Sequence, residues 1–229
     1  MARKVTRKTP EPAPPAKSPA LQFAYRFEPR NPPQRESQFL FPTCDVLGMI
    51  GPAGSGKTIA AVALGVGEVY ARRAERITVI RPCVEAGENP LGWLGGSLEE
   101  KMDPHYAVFT DAIHRVSFGF PARSLRRLAI NYVRGMTFTD EIVIVDEAQN
   151  FTINELQLLL ERLGERSRMV VLGDPDQPDI PRSGLVEFFD LLDGASGISR
   201  VEFTDSDIVR HPRLREWLQR LRKRKKGRT

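Results

Sequence analysis

Residues 46–58 read Val46-Leu-Gly-Met-Ile50-Gly51-Pro52-Ala53-Gly54-Ser55-Gly56-Lys57-Thr58. A short apolar run, as a buried strand would be, passes directly into the eight-residue pattern G-x-x-x-x-G-K-[ST]. The stretch after it, Thr58–Arg73, is Ala-rich and has the length of a helix, although Gly65 and Gly67 weaken that reading. Strand, glycine loop and helix in this order form a phosphate cradle. The glycines let the backbone curl so that successive N–H groups point inward. The helix N-terminus adds its partial positive charge. Lys57 is placed to reach the β- and γ-phosphates of a nucleotide, and Thr58 to offer its hydroxyl to Mg²⁺. Gly51, Pro52, Ala53, Gly54, Ser55, Gly56, Lys57 and Thr58 are therefore the candidate nucleotide-binding residues.

Two further strand ends carry the chemistry such a cradle needs. Ile142-Val-Ile-Val145 is four β-branched residues in a row, the pattern of a strand buried on both faces. It delivers Asp146 and Glu147, then Ala148 and Gln149. Asp146 is the candidate Mg²⁺ holder, and Glu147 the candidate base for an attacking water. Met169–Leu172 is another apolar run, ending in Gly173-Asp174-Pro-Asp176-Gln177. The Gln177 amide has the placement of a γ-phosphate sensor. No Asn-Lys-x-Asp guanine-reading segment follows it.

Taken with the flanking text, these motifs resemble the PhoH-like family, and more distantly the first motor domain of superfamily-one helicases. The resemblance runs from about Phe27 to Leu218. It is carried also by Arg81-Pro-Cys-Val-Glu85-Ala-Gly87-Glu88, Leu98-Glu-Glu-Lys101-Met-Asp103-Pro104, Tyr132-Val-Arg134-Gly135-Met-Thr137, Ser183-Gly184-Leu185 and Val209-Arg210-His211-Pro212. Upstream, Asn31-Pro-Pro-Gln34 is similar to the family's glutamine motif, with one added Pro. The resemblance implies that the Gln34 amide reads adenine, that Arg210 is an arginine finger in cis or from a neighbouring subunit, and that the nucleotide is ATP. Arg81 and Arg134 are expected at strand ends on the nucleotide side. There they contact nucleic acid or phosphate, or pair with Glu85 and Glu88. Trp93 stacks a base or anchors its own glycine-flanked loop.

The rest of the chain fits one domain. Its 229 residues suffice for a buried core. Residues 1–20 are rich in Pro, Lys and Ala, too poor in apolar side chains to offset their ordering entropy, and are expected to be disordered. The formal net charge is +5. Residues 1–20 carry +4 of it and 220–229 carry +7, which leaves 21–219 at −6. Residues 21–219 are read as the ATPase domain and 220–229 as a basic tail, with Lys223, Arg224, Lys225 and Lys226 as candidate nucleic-acid contacts. No apolar run is long enough to span a bilayer, and the basic N-terminus leads into Pro and charge rather than an apolar signal core. Only Cys44 and Cys83 are present, which reads as a reducing, cytoplasmic setting. With His105, His114 and His211 they show no metal-ligand spacing.

Beyond the motif strands, the pattern predicts strands at Ile77–Ile80 and Arg200–Phe203. It predicts helices opened by Asp103-Pro104 and running through Val116, from the Thr152/Glu155 capping box to Gly164, over Ser183–Leu192 and over Pro212–Arg222. Alternating strands and helices predict an α/β fold: a single RecA-like P-loop NTPase domain, mostly parallel, with helices on both faces. One motor domain must find its second half elsewhere, so a homo-oligomeric ring, such as a hexamer, is expected. The leading function is a Mg²⁺-dependent ATPase that remodels or moves along RNA or single-stranded DNA. The rival is a regulatory or stress-response ATPase acting on a protein, a role the family likeness links to phosphate starvation. Intact Lys57, Thr58, Asp146 and Glu147 argue against a third reading, a sensor without turnover.

Overall fold

The structure, a computed structural model, describes residues 25–82 and 98–209 together with Trp217. The expected disordered N-terminus, the basic tail, the Pro212–Arg222 helix apart from Trp217, and also Trp93, Glu85, Glu88 and Arg210 lie outside the described residues.

Six strands form one parallel sheet: β1 (Val46–Ile50), β2 (Arg76–Arg81), β3 (Leu125–Ala129), β4 (Glu141–Val145), β5 (Arg168–Gly173) and β6 (Ile198–Glu202), in spatial order β3-β2-β4-β5-β1-β6. Every residue of β1 and β4 is buried, because helices cover both faces. Alternate side chains serve opposite layers. Leu47, Met49, Ile77, Val79, Ile142, Ile144, Val170 and Leu172 pack under α2 (Lys57–Tyr70) and α3 (Leu98–Val116). Val46, Ile50, Val143, Val145, Met169 and Val171 pack under α4 (Ile153–Leu160) and α5 (Leu185–Leu191) on the other face. This is the expected RecA-like P-loop NTPase architecture.

The two glycines of α2 do not break it. A Cβ at Gly65 would lie 2.9 Å from two carbons of Ile77, so the missing side chain is what lets α2 approach β2. A stand-alone helix propensity cannot register that gain.

Two expected helix boundaries need correction. The α3 helix begins at Leu98, not at Asp103-Pro104, and carries Pro104 inside it. Proline forgoes a hydrogen bond there, and a 19-residue helix packed along α2 tolerates the loss. The α4 helix keeps its capping box, with Thr152 and Glu155 bonded reciprocally, but ends at Leu160. Leu163 then turns to bridge Phe138, and Gly164 donates its N–H to the Phe138 carbonyl. In the sheet, β5 lies between β1 and the strand carrying Asp146. Finally, β3 and a helix before the glycine loop, α1 (Pro32–Leu40), have no counterpart among the expected elements.

Candidate functional site

The glycine loop sits where β1 ends. Gly51, Gly54 and Gly56 all have positive φ, at 141°, 87° and 84°, a backbone path costly for any residue with a Cβ. The loop is braced from several sides. Asn31 caps α1 through the Gln34 N–H, and its Nδ2 donates to the carbonyls of Ser55 (3.0 Å) and Asp207 (2.8 Å). Ser55 Oγ donates to the Pro52 carbonyl, and the Val209 N–H to the Gly54 carbonyl. Lys57 is folded back over the loop, with Nζ 2.6 Å from the Gly51 carbonyl and 2.9 Å from that of Pro52.

Gln34 is only 1 % exposed. Its Nε2 donates to the Ser55 carbonyl (3.1 Å) and more weakly to that of Gly56, while its Oε1 accepts from the Arg30 N–H. Both amide hydrogens are thus spent on the glycine loop, and the side chain braces it. One acceptor lone pair remains of the donor–acceptor pair that reading adenine would use.

At the end of β4, Asp146 and Glu147 meet Arg81 from the neighbouring β2. The Arg81 Nε and Nη2 lie 3.0 and 2.8 Å from Asp146 Oδ2, and Nη2 lies 3.4 Å from Glu147 Oε1. Glu147 has φ 55°, ψ 42°, a left-handed conformation unusual for this residue. Its second oxygen, Oε2, accepts from Gln149 Nε2 at 2.6 Å. Gln149 Oε1 in turn accepts from the Asp174 N–H at the end of β5. Asp174 Oδ2 reaches the loop amide of Ala53 at 3.3 Å. A continuous chain of contacts therefore joins Arg81, the two carboxylates, the β5 end and the glycine loop. Burial pushes the Asp146 carboxyl above its ordinary value; Arg81 pulls the other way, and Glu147 adds to the rise.

One cleft of about 1180 Å³ collects the two carboxylates, the β5 end and the glycine loop. Its lining includes Gly54, Gly56, Lys57, Thr58, Asp146, Glu147, Gln149 and Asp174, and it extends between residues 25–30 and α3. The donor set suits Mg²⁺. Thr58 and Asp146 offer hard oxygens, and the described residues hold no cluster of three or more metal-ligating acids, histidines or cysteines. A cation that keeps most of its waters and takes oxygens from phosphates needs no fuller protein cage.

Gln177 is not in this cleft. It is exposed, and its amide turns onto Asp174 Oδ2 at 2.6 Å. Gln149, quoted in the sequence but assigned no role, takes the inward position. Arg81 does not stand among exposed basic side chains; its own is 17 % accessible and engaged by the two carboxylates. Arg134 is exposed in the turn after β3, beside Gly135, outside the cleft. Lys223, Arg224, Lys225 and Lys226 are outside the described residues.

Comparison with known proteins points one way. A family model described as PhoH-like protein matches residues 26–221. The chain is 41% identical over 188 residues to a PhoH-like protein of Bacillus subtilis (strain 168), covering 78% of this chain and 59% of the relative. It is 34% identical over 171 residues to protein PhoH of Escherichia coli (strain K12), covering 70% and 48%. The chain thus spans about half to three fifths of the length of these relatives. Among solved structures it is similar to the large terminase of a thermophilic bacteriophage, with TM-score 0.56 and 14% identity over 84% of this chain and 50% of that one. That likeness is one of fold.

Proposed function

The chain belongs to the PhoH-like protein family, and we propose that it is a Mg²⁺-dependent ATPase whose turnover is coupled to binding or remodelling RNA or single-stranded DNA. The observation that carries the hydrolytic part is the convergence of Lys57, Thr58, Asp146 and Glu147 on one cleft, although Asp146 and Glu147 lie some ninety residues beyond the loop in sequence. Each residue then has a task. The loop amides and Lys57, once turned off the Gly51 and Pro52 carbonyls, bind the β- and γ-phosphates. Thr58 and Asp146 would hold Mg²⁺, whose charge would offset that of the phosphates. Glu147 orients a water and takes its proton, a contribution of roughly 10²–10⁴ in rate. Gln149 and Asp174 keep that base in register with the loop. Gln177 reaches a γ-phosphate only by leaving Asp174, so its sensing role requires a rearrangement of that turn. Arg210 directly follows Val209, whose N–H is bonded to the glycine loop, and it remains the candidate finger, supplied in cis or across a subunit junction of a ring.

Nucleic acid as the partner is supported by the basic tail and by the exposed Arg134 in the turn after β3. The rival reading, an ATPase acting on a protein in a regulatory or phosphate-starvation role, draws on Phe39 and Phe118, exposed to 80% and 88%. No helix among the described residues is long and apolar enough to cross a membrane, and a cytoplasmic site of action is part of the proposal. The test is phosphate release from ATP with and without single-stranded RNA or DNA, with Lys57→Ala as the blank. Stimulation by a strand supports the nucleic-acid reading. Lys57-dependent hydrolysis indifferent to every strand transfers the assignment to a protein partner. Absence of Lys57-dependent hydrolysis refutes the ATPase reading.

A further inference from the structure

Arg81 is the last residue of β2, and its backbone is fixed from both sides. It pairs in register with Ala129 of β3, and the preceding Ile80 pairs with Val145 of β4. The Asp146 N–H donates to the Ile80 carbonyl at 2.9 Å. The acid that begins the catalytic tip is therefore tied to β2 twice, once by its main chain and once by the Arg81 guanidinium on Oδ2. The same guanidinium reaches Glu147 Oε1. A rigid strand end thus presents one cation across two adjacent carboxylates, at the place where a divalent ion would otherwise find them both.

Adjacent carboxylates on a strained turn, with a hydroxyl across the cleft, would attract a divalent cation on their own. With Arg81 in place, the pair carries one negative charge instead of two, and one Asp146 oxygen is already bonded. We propose that Arg81 is a positioning residue that guards this site: it makes binding of the divalent cation conditional on the nucleotide, whose phosphates supply the missing negative charge and ligands. The guard also holds Glu147 against Gln149 until the site is loaded. This inference rests on the reading of Asp146 as the metal-holding acid, but not on turnover.

The probe is Mn²⁺ without nucleotide, titrated into the full chain at pH 8 and followed by the loss of the free-ion electron paramagnetic resonance signal. Arg81→Gln is expected to bind Mn²⁺ about tenfold or more tightly than wild type, the scale set by a unit charge ~5 Å from a divalent ion even at the dielectric of water. Arg81→Lys keeps the charge and is expected to stay close to wild type. Adding Asp146→Asn to Arg81→Gln should abolish the gain. A merely structural arginine gives the opposite sign, because a loosened site binds metal less well. Nucleotide-free Mn²⁺ affinity unchanged or weakened in Arg81→Gln overturns the proposal, and so does an equal gain in Arg81→Lys. The ATPase reading fails separately, on wild-type phosphate release. A gain of Mn²⁺ affinity in Arg81→Gln would stand even then.

Discussion

The two ends of β4 carry the same kind of pair and use it differently. At the N-terminal end, Glu141 is buried and Arg126 binds it. Thr78 Oγ1 donates to the same Oε2 at 2.6 Å, and Arg76 approaches Oε1 at 3.7 Å. Arg126 also donates to Thr78 and lies over the Phe138 ring. The network closes on itself, and Glu141 does not line the cleft. At the C-terminal end, Asp146 is as deeply buried and bound by Arg81, but it faces the cleft beside Glu147 and Lys57. One end is closed off by the fold, whereas the other opens onto the cleft. The lesson is that a buried acid–arginine pair is structural or functional according to what its remaining surface meets. In a parallel sheet, strand direction decides that, because the C-terminal ends collect the loops that bind ligands.

Substitutions at the two ends should therefore separate activity from stability. The largest effect belongs to the cleft. Glu147→Gln is expected to lower the rate of phosphate release by roughly 10²–10⁴ while leaving the melting temperature near wild type. Asp146→Asn should match it in activity and melt at or above the wild-type temperature near neutral pH. The sign follows from the raised Asp146 carboxyl. The folded state holds that proton more tightly than the unfolded chain. Stability is then undiminished below the ordinary carboxylate value and falls as pH rises from there to the raised folded value. Removing the charge removes the fall, and denaturant titrations of wild type and Asp146→Asn across that window check it.

At the other end the order reverses. Glu141→Ala leaves Arg126 and Thr78 without their acceptor, and should cost about 3–5 kcal/mol of stability in urea unfolding. The surviving folded fraction should keep its turnover. Smaller in scale, Gly65→Val would press α2 off Ile77 and is expected to cost roughly 1–3 kcal/mol, with loss of activity only in proportion to unfolding. Smallest is Thr152→Ala, which removes one half of the α4 capping box for about 1 kcal/mol. Equal losses of activity at Glu141 and Asp146 would erase the distinction between the two ends.

The sequence makes the cleft end of this contrast easy to read. Residues 46–58 announce strand, loop and helix, and Asp146-Glu147 follow an unbroken apolar run. Local chemistry alone specifies both. The opposite end is illegible for the same reason: Glu141, Arg126 and Thr78 come from three separated strands, and their closure is tertiary. It hides β3 as well. Leu125–Ala129 carries two adjacent arginines and looks polar, yet Arg126 is drawn inward by Glu141. For α1 a signal is present, since Asn31 before two prolines is an N-cap followed by the residue suited to the first helical position; its polar composition masks it. Gln177 and Gln149 show the limit within the site. Both follow an acidic strand end, and only the fold reveals that Gln149 turns inward to Glu147 and Asp174 while Gln177 stays in solvent.

The most direct measurement is phosphate release from ATP and Mg²⁺ by three proteins side by side: wild type, Asp146→Asn and Glu141→Gln, each normalised to its folded fraction. Glu141→Gln is expected to keep wild-type turnover, and Asp146→Asn to lose at least about a hundredfold. Comparable turnover in all three would contradict the assignment of the Asp146 end as the catalytic one.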